Sequence, residues 1–204
     1  WKNLTGQQVK NTSMEYSLFS SLVFHHQIEN FNKEQLVDYA YSERTKYPRG
    51  AANSNVSGWQ SEGFYHLTDN PVVETVGAAL SKCHFFKERV ILKLKSLWIN
   101  VNGKGAFNME HNHPDCDLAA VIWVQAPENS GKLVFKNPHG FTHHKMSMYT
   151  DEVQARNYQY TAYNFRPTEG SMLLFPSYLN HAVLFNESDY DRISISFNMV
   201  MEYK

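Results

Sequence analysis

The sequence predicts a mainly β fold with helices towards its N-terminal end, arranged as an antiparallel barrel or jelly roll. From residue 89 onward, short apolar runs alternate with turn residues, whereas helical periodicity is confined to about residues 30–88. Aromatic residues make up 14% of the chain, with 12 Tyr and 13 Phe, which favours sheets. At 204 residues the chain fits one domain. We expect that domain to span residues 1–204, with a β core over about 89–204.

Two helices are predicted from their start signals. Asn32, followed three residues later by Gln35, indicates an N-cap, and this helix should end before Pro48. The pair Asn70-Pro71 indicates a second start, with proline at the first helical position. Apolar residues at helical spacing continue that helix towards residue 83.

Seven strands are predicted from runs of apolar and alternating residues between turn signals. They cover residues 16–28, 89–101, 118–125, 132–136, 171–175, 182–185 and 192–201. The polar and aromatic stretch 139–164 suits a long loop or hairpin over the mouth of a site.

Composition excludes several classes of protein. The formal net charge of -1 provides no broad field for nucleic acid or for an anionic membrane surface. No run approaches the roughly 20 apolar residues that span a bilayer. Two cysteines, Cys83 and Cys116, exclude a disulfide framework or a four-cysteine zinc site and favour free thiols in a reducing cytoplasm, that of a bacterium or bacterial host.

A candidate metal site lies in the string from Glu110 to Asp115, together with a distant histidine. Residues i and i+2 of a strand share a face, so either His111 with His113 or His113 with Asp115 can point at one metal ion. His181, at the end of another predicted strand, completes either set of three. Three ligands leave positions free for a bidentate cosubstrate and O2, as non-haem Fe(II) oxygenases require.

A second candidate site follows 11 residues after His181. Arg192 and Ser194 share a strand face, and a guanidinium fork with a hydroxyl suits a carboxylate at the inner end of a narrow barrel. The 5-carboxylate of 2-oxoglutarate is such a group, and its 2-oxo acid end would chelate the iron. The alternative is that Arg192 forms a surface ion pair with Asp189 or Asp191.

At this point the chain resembles a 2-oxoglutarate/Fe(II) oxygenase family common in phage and marine bacterial genomes. The likeness runs from about residue 53 to residue 198. Its segments are Asn53-Ser-Asn-Val-Ser-Gly-Trp-Gln-Ser61, Trp98-Ile-Asn-Val-Asn-Gly-Lys-Gly105, His111-Asn-His-Pro114, Ala119-Ala-Val-Ile-Trp-Val124, Ser130-Gly-Lys-Leu-Val-Phe135, Phe175-Pro-Ser177, His181 and Arg192-Ile-Ser-Ile-Ser-Phe-Asn198.

The resemblance implies a double-stranded β-helix, iron as the metal, 2-oxoglutarate as the cosubstrate and hydroxylation or a related oxidation as the reaction. Two departures stand out: Ala119-Ala120 replaces the family's usual Ser-Gly, and many members carry Asn or Gly at the position of Asp115. Two ligand sets therefore stay open, one of His113, Asp115 and His181, the other of His111, His113 and His181.

The function expected from the sequence is a non-haem Fe(II)- and 2-oxoglutarate-dependent dioxygenase acting on a small molecule or a protein side chain. Two other classes are also compatible with the sequence. One is a β-helix that has lost catalysis and serves as a binding or virion-associated module. The other is a cupin-like metal enzyme that uses no 2-oxoglutarate and so needs neither Arg192 nor Ser194.

Overall fold

The computed structural model describes residues 20–29, 31–63, 70–139, 148–158 and 160–204. Within these ranges the helices are α1 (Lys33–Lys46), α2 (Pro71–Ser81) and α3 (Asp151–Asn157). The strands are β1 (Phe24–Gln27), β2 (Asn55–Val56), β3 (Trp59–Gln60), β4 (Val90–Asn102), β5 (Phe107–His111), β6 (Leu118–Gln125), β7 (Leu133–Lys136), β8 (Ala162–Phe165), β9 (Ser171–Pro176), β10 (His181–Val183) and β11 (Arg192–Tyr203).

The strands form two antiparallel sheets. One has six strands in the order β1-β9-β6-β11-β4-β3, and the other has five in the order β2-β5-β10-β7-β8. The pairings nest inside one another along the chain: β4 with β11, β5 with β10, β6 with β9 and β7 with β8. This nested pattern across two sheets is the jelly-roll topology. The double-stranded β-helix prediction is confirmed.

Helices α1 and α2 begin where their capping residues predict. Asn32 accepts a hydrogen bond from the backbone N–H of Gln35, and Asn70 accepts one from the N–H of Val72. Helix α1 packs against β4 and β6, on the outer face of the six-stranded sheet. A large apolar cluster forms there between the helices and the sheet, and it includes Leu36 and Val76. Burial of this layer leaves the opposite face of the sheet to form one wall of the sandwich interior.

A smaller apolar cluster fills part of that interior. Its buried members are Ala119, Trp123, Leu133, Phe135, Leu173, Phe175 and Leu179. In β9, Leu173 and Phe175 belong to this cluster while the alternate residues Met172 and Leu174 belong to the outer one. Strand β9 is therefore buried on both faces, which explains its unbroken apolar sequence.

The structure also departs from the sequence predictions. Of the strand predicted over 16–28, the described part is a strand only over Phe24–Gln27, and residues 16–19 lie outside the described ranges. Strands β2, β3 and β5 were missed because they are short and largely polar. The stretch predicted as a long loop or hairpin, 139–164, contains α3 and the start of β8, while residues 140–147 and 159 lie outside the described ranges.

In the described part of the chain, no helix combines the length and apolar character needed to cross a membrane. A single domain over residues 1–204 stays a prediction.

Candidate metal centre and its cavity

Three histidine side chains converge at one end of the sandwich. The potential ligand nitrogens of His111, His113 and His181 all lie within 4.8 Å of one another. The ring centroids of His111 and His181 are 4.3 Å apart, and the ring of His113 lies 5.0 and 5.2 Å from them. Three imidazoles this close can coordinate one metal ion.

Strand pairing brings two of these histidines together. His111 ends β5 and His181 begins β10, and the two are direct partners in the antiparallel register. Their side chains therefore project from the same face of the five-stranded sheet. His113 lies in the loop after β5, where its backbone N–H donates to the carbonyl of Ser177 at 3.0 Å. That bond ties the loop to the segment that leads into His181.

Backbone carbonyls orient two of the rings. Nδ1 of His111 lies 2.7 Å from the carbonyl oxygen of Met109, and Nδ1 of His181 lies 2.8 Å from that of Leu179. Because a carbonyl only accepts, each Nδ1 must carry the proton, and Nε2 keeps its lone pair. A metal-binding histidine typically donates a hydrogen bond from the ring nitrogen that does not bind the metal, and this bond sets both the tautomer and the orientation of the ring.

Burial keeps two of the imidazoles neutral. It lowers the pKa of His113 to about 4 and that of His181 to about 3, with the electrostatic effect of the neighbouring His111 adding to the shift in both. A neutral imidazole is the form that binds metal, so both rings are ready to coordinate at neutral pH without first losing a proton.

Asp115 does not join this cluster. Among the described residues, the group of metal-binding side chains contains the three histidines and no carboxylate. Strand β5 ends at His111, and Pro114 and Asp115 form a turn, so the alternation that would have aligned Asp115 with His113 no longer applies. The side chain of Asp115 is exposed, while its backbone carbonyl accepts a hydrogen bond from Lys95. Of the two ligand sets, the geometry brings together the one with three histidines.

Arg192 is buried inside the sandwich. Its relative exposure is 2%, and Nη1 donates to the carbonyls of Ser130 and Leu184. Nη2 is buried without a hydrogen-bond partner in the described part of the protein. Burial lowers the pKa of Arg192 to about 10, which leaves the guanidinium charged at neutral pH. A buried cation with an unsatisfied donor is costly unless an anion meets it.

The surface ion pair considered for Arg192 does not form. Asp189 pairs with Lys104 at 2.6 Å, and Asp191 pairs with Arg44 at 3.4 Å. Arg192 instead points inward, so that interpretation is wrong.

One cavity connects the histidines to Arg192. Its wall includes His111, His113, His181, Arg192 and Ser194, and it is completed by Ser54, Trp98, Asn100, Asn102, Asn108, Ala120, Val121, Trp123, Leu133, Phe175, Val183, Ser196 and Asn198. Apart from Asp115, every site residue predicted from the sequence therefore faces the same space.

The donor set fits iron and 2-oxoglutarate. Imidazole ligands suit iron, zinc, copper and nickel, so the histidines alone do not select the metal. The selective feature is the far end of the cavity, where the unpartnered Nη2 of Arg192 and the hydroxyl of Ser194 can both donate to a carboxylate. A diacid that chelates a metal through its other end satisfies both groups of residues.

Sequence reasoning missed much of the polar wall between the two ends. Asn100 and Asn102 on β4, and Ser196 and Asn198 on β11, line the cavity beside the predicted residues. The signal was present, since these polar residues alternate with buried apolar ones on both strands. That alternation extends the Arg192-x-Ser194 pattern further along β11.

The family comparison decides the class of this chain. The model of a family described as “Putative 2OG-Fe(II) oxygenase” matches residues 96–198, just over half of the chain. The chain belongs to this family. It is accordingly a 2-oxoglutarate-dependent oxygenase, with Fe(II) and 2-oxoglutarate as its cofactors, and the matched segment contains all three histidines, Arg192 and Ser194.

Solved structures of other 2OG oxygenases share the fold. A prolyl-4-hydroxylase from Pseudomonas putida is 12% identical, with a TM-score of 0.55 over 89% of this chain and 93% of its own. HygX from Streptomyces hygroscopicus, solved with nickel, 2-oxoglutarate and hygromycin B, is 10% identical, with a TM-score of 0.58 over 88% of this chain and 83% of its own. A prolyl hydroxylase from Trichoplax adhaerens is 12% identical, with a TM-score of 0.56 over 86% of this chain and 83% of its own. At these identities the likeness establishes the fold alone. No curated protein sequence matches the chain.

Proposed function

We propose that this oxygenase hydroxylates a C–H bond of its substrate, with 2-oxoglutarate converted to succinate and CO2. The observation that carries the proposal is the shared cavity. Three imidazoles close enough to bind one metal ion lie at one end, and a buried, partly unpartnered guanidinium lies at the other. One oxygen atom of O2 enters the substrate as a hydroxyl group, and the other enters succinate. The two electrons released by decarboxylation and the two from the C–H bond together reduce O2.

The chain's own residues divide the work of binding. His111, His113 and His181 would hold Fe(II), which supplies the activation of O2 when it is bound. Arg192 and Ser194 would hold the second carboxylate of 2-oxoglutarate through charge-assisted hydrogen bonds. The apolar side chains around Phe175 and Trp123 keep bulk water away from the cavity.

The substrate would approach through a groove at the histidine end of the cavity. This groove is lined by Ala51, Asn53, Ser54, Gln60, Ser61, Glu62, Gly63, Ser96, Trp98, Met109, Glu110, His111, Asn112, His113 and Asn198. The side chain of Gln60 makes no hydrogen bond in the described structure, although the residue is only 6% exposed. Its carboxamide is therefore available to a polar group of a substrate.

A second groove contains no predicted site residue. It is lined by aromatic side chains including Tyr158, Tyr160 and Tyr163, beside the edge strand β8. None of the three histidines lines this second groove, which favours the histidine-end groove for the substrate. We propose a small molecule or a protein side chain as the substrate class, and a cytoplasmic location stays a prediction.

The two other classes considered from the sequence are less well supported. Family membership and a complete set of binding groups argue against a β-helix that has lost catalysis. A three-imidazole site resembles those of metal enzymes that use no 2-oxoglutarate. Such an enzyme would, however, have no anionic ligand to compensate the buried charge of Arg192.

Succinate formation tests the proposal. Protein loaded with Fe(II) under anaerobic conditions and then exposed to O2 and 2-oxoglutarate should release succinate, and a host extract should raise the rate and yield a +16 Da product. The variant His181→Ala serves as the matched inactive control. Iron-loaded protein that forms no succinate above this control, with or without extract, would refute the proposed activity.

A further inference from the structure

The cavity has a polar row between Ser194 and the histidines that the proposed binding of 2-oxoglutarate does not use. Along β11, Arg192, Ser194, Ser196 and Asn198 alternate with buried apolar residues and all line the cavity. At about 3.3 Å per residue, Ser196 lies roughly 13 Å along the strand from Arg192. Four polar side chains thus form a ladder from the inner end to the mouth.

Strand pairing places Ser196 beside the metal centre. Its partner on β4 is Trp98, whose ring centroid is 6.1 Å from that of His113. Ser194, by contrast, pairs with Asn100, and Arg192 pairs with Asn102. Ser196 therefore belongs to the histidine end of the ladder and Arg192 to the inner end.

Asn100 controls the direction of the serine hydroxyls. Its Nδ2 lies 3.1 Å from Oγ of Ser196 and 3.5 Å from Oγ of Ser194, so one amide group donates to both. Asn100 is itself only 5% exposed. Since each hydroxyl already accepts from Asn100, its own proton remains to be donated. No protein acceptor for either proton is present in the described part of the chain, and both hydroxyls face the cavity.

We propose that Ser196 binds the 2-oxo acid end of the cosubstrate and that Asn100 is the positioning residue that aims its hydroxyl. The inference rests on the proposed function, because it assigns a second contact to the same cosubstrate. Arg192 and Ser194 then recognise the far carboxylate, while Ser196 recognises the carboxylate beside the metal. The two carboxylates of one diacid are therefore bound by different residues of this polar row.

Two acids distinguish these roles. 2-Oxoglutarate carries both ends, whereas 2-oxopentanoate has the same five carbons and the 2-oxo acid end but lacks the second carboxylate. Calorimetric titration of the Ni(II)-loaded protein gives an affinity for each. Ser196→Ala should weaken both acids by the same factor, about tenfold or more, as expected for a lost hydrogen bond to a charged group. Arg192→Lys should weaken 2-oxoglutarate and leave 2-oxopentanoate unchanged.

Further variants separate positioning from a general structural effect. Asn100→Ala should weaken both acids in parallel with Ser196→Ala, while Ni(II) affinity stays that of the unmodified protein. Ser81→Ala, at an exposed serine of α2, is the matched control and should change neither affinity. If the amide of Asn100 were rotated by 180°, the serines would donate to it, and only Asn100→Ala would weaken binding.

The outcomes are decisive. A Ser196→Ala protein that loses affinity for 2-oxoglutarate alone would place Ser196 at the far carboxylate and overturn the inference. The inference is also overturned if Ser196→Ala binds both acids as tightly as the unmodified protein, or if only Asn100→Ala weakens their binding. Failure of the unmodified Ni(II) protein to bind 2-oxoglutarate at all would instead refute the proposed function.

Discussion

The two ends of the cavity use opposite physical means to prepare for a ligand. At the mouth, three imidazoles are gathered from a strand end, a loop and a second strand, and the ring of His181 is held by one backbone carbonyl. At the inner end, a single permanent charge on Arg192 is buried at the start of β11 and tied to two carbonyls. The mouth gains its ligand by coordination, while the inner end gains it by neutralising a charge.

Because of this difference, substitutions at the two ends should affect different properties of the protein. Loss of one imidazole removes a bond to the metal and leaves the rest of the fold nearly intact. Disturbance of the inner end affects packing as well, because Arg192 fills space among buried groups. Variants at each end can therefore be distinguished by measuring metal affinity, cosubstrate affinity and stability on the same protein.

The largest expected effect is at the mouth. His181→Ala should weaken metal binding by well over a hundredfold, since losses of ten- to hundredfold already follow removal of groups that merely orient a ligand. Asp115→Asn is the matched comparison, and it should leave metal affinity within about twofold because Asp115 lies outside the cluster. Anaerobic titration with Fe(II) measures both. A large loss in Asp115→Asn would restore the ligand set that contains the carboxylate.

A moderate effect is expected at the inner end from Gly131. This residue has φ +88°, and a Cβ added there would lie 2.2 Å from the carbonyl oxygen of Leu184 and 2.7 Å from Nη1 of Arg192. Gly131→Ala should therefore lower the free energy of unfolding by about 1–3 kcal/mol and weaken 2-oxoglutarate, while metal affinity is retained. Urea unfolding and calorimetric titration check the two parts.

Gly77 provides the control for that substitution. It lies on the exposed side of α2, and a Cβ there would meet nothing within 4 Å. Gly77→Ala should raise the free energy of unfolding by about 0.5–1 kcal/mol, because alanine is the better helix former. Equal destabilisation by both alanines would contradict the close packing assigned to Gly131.

The last expected effect is a pH dependence confined to the mouth. The folded-state pKa values of His113 and His181, about 4 and about 3, lie below the ordinary value of 6.5. The unfolded chain therefore binds more protons as pH falls from 6.5 towards 4, and the metal-free protein loses stability over that range. The stability that the two neutral histidines contribute is fully present above pH 6.5. Arg192 stays charged throughout, so the inner end adds no such dependence.

Urea unfolding of the metal-free protein at pH 7.5, 6.0 and 5.0 measures this effect. The midpoint should fall with pH, and it should fall less in His181→Asn, which has one titrating group fewer. A decline of the same size in both proteins would assign the pH dependence to other groups.

Much of the fold could be predicted from the sequence because its signals are local. The caps at Asn32 and Asn70 mark the helix starts, and alternation along β4 and β11 marks the inward faces of two central strands. The same alternation identified Arg192 and Ser194 as neighbours on one face. Strand β5 was missed because five residues of mixed polarity carry too little periodic signal.

The sequence by itself determined which residue types were available and, on long strands, which of them share a face, since side chains alternate with a period of two. Only the tertiary structure favours one of the two ligand sets, because it brings three histidines together without Asp115. That choice depends on where β5 stops: the chain leaves the strand after His111, so His113 turns back towards His181 while Asp115 faces solvent. The end of a short strand is set by its partners across the sheet, and those lie some 70 residues away along the chain.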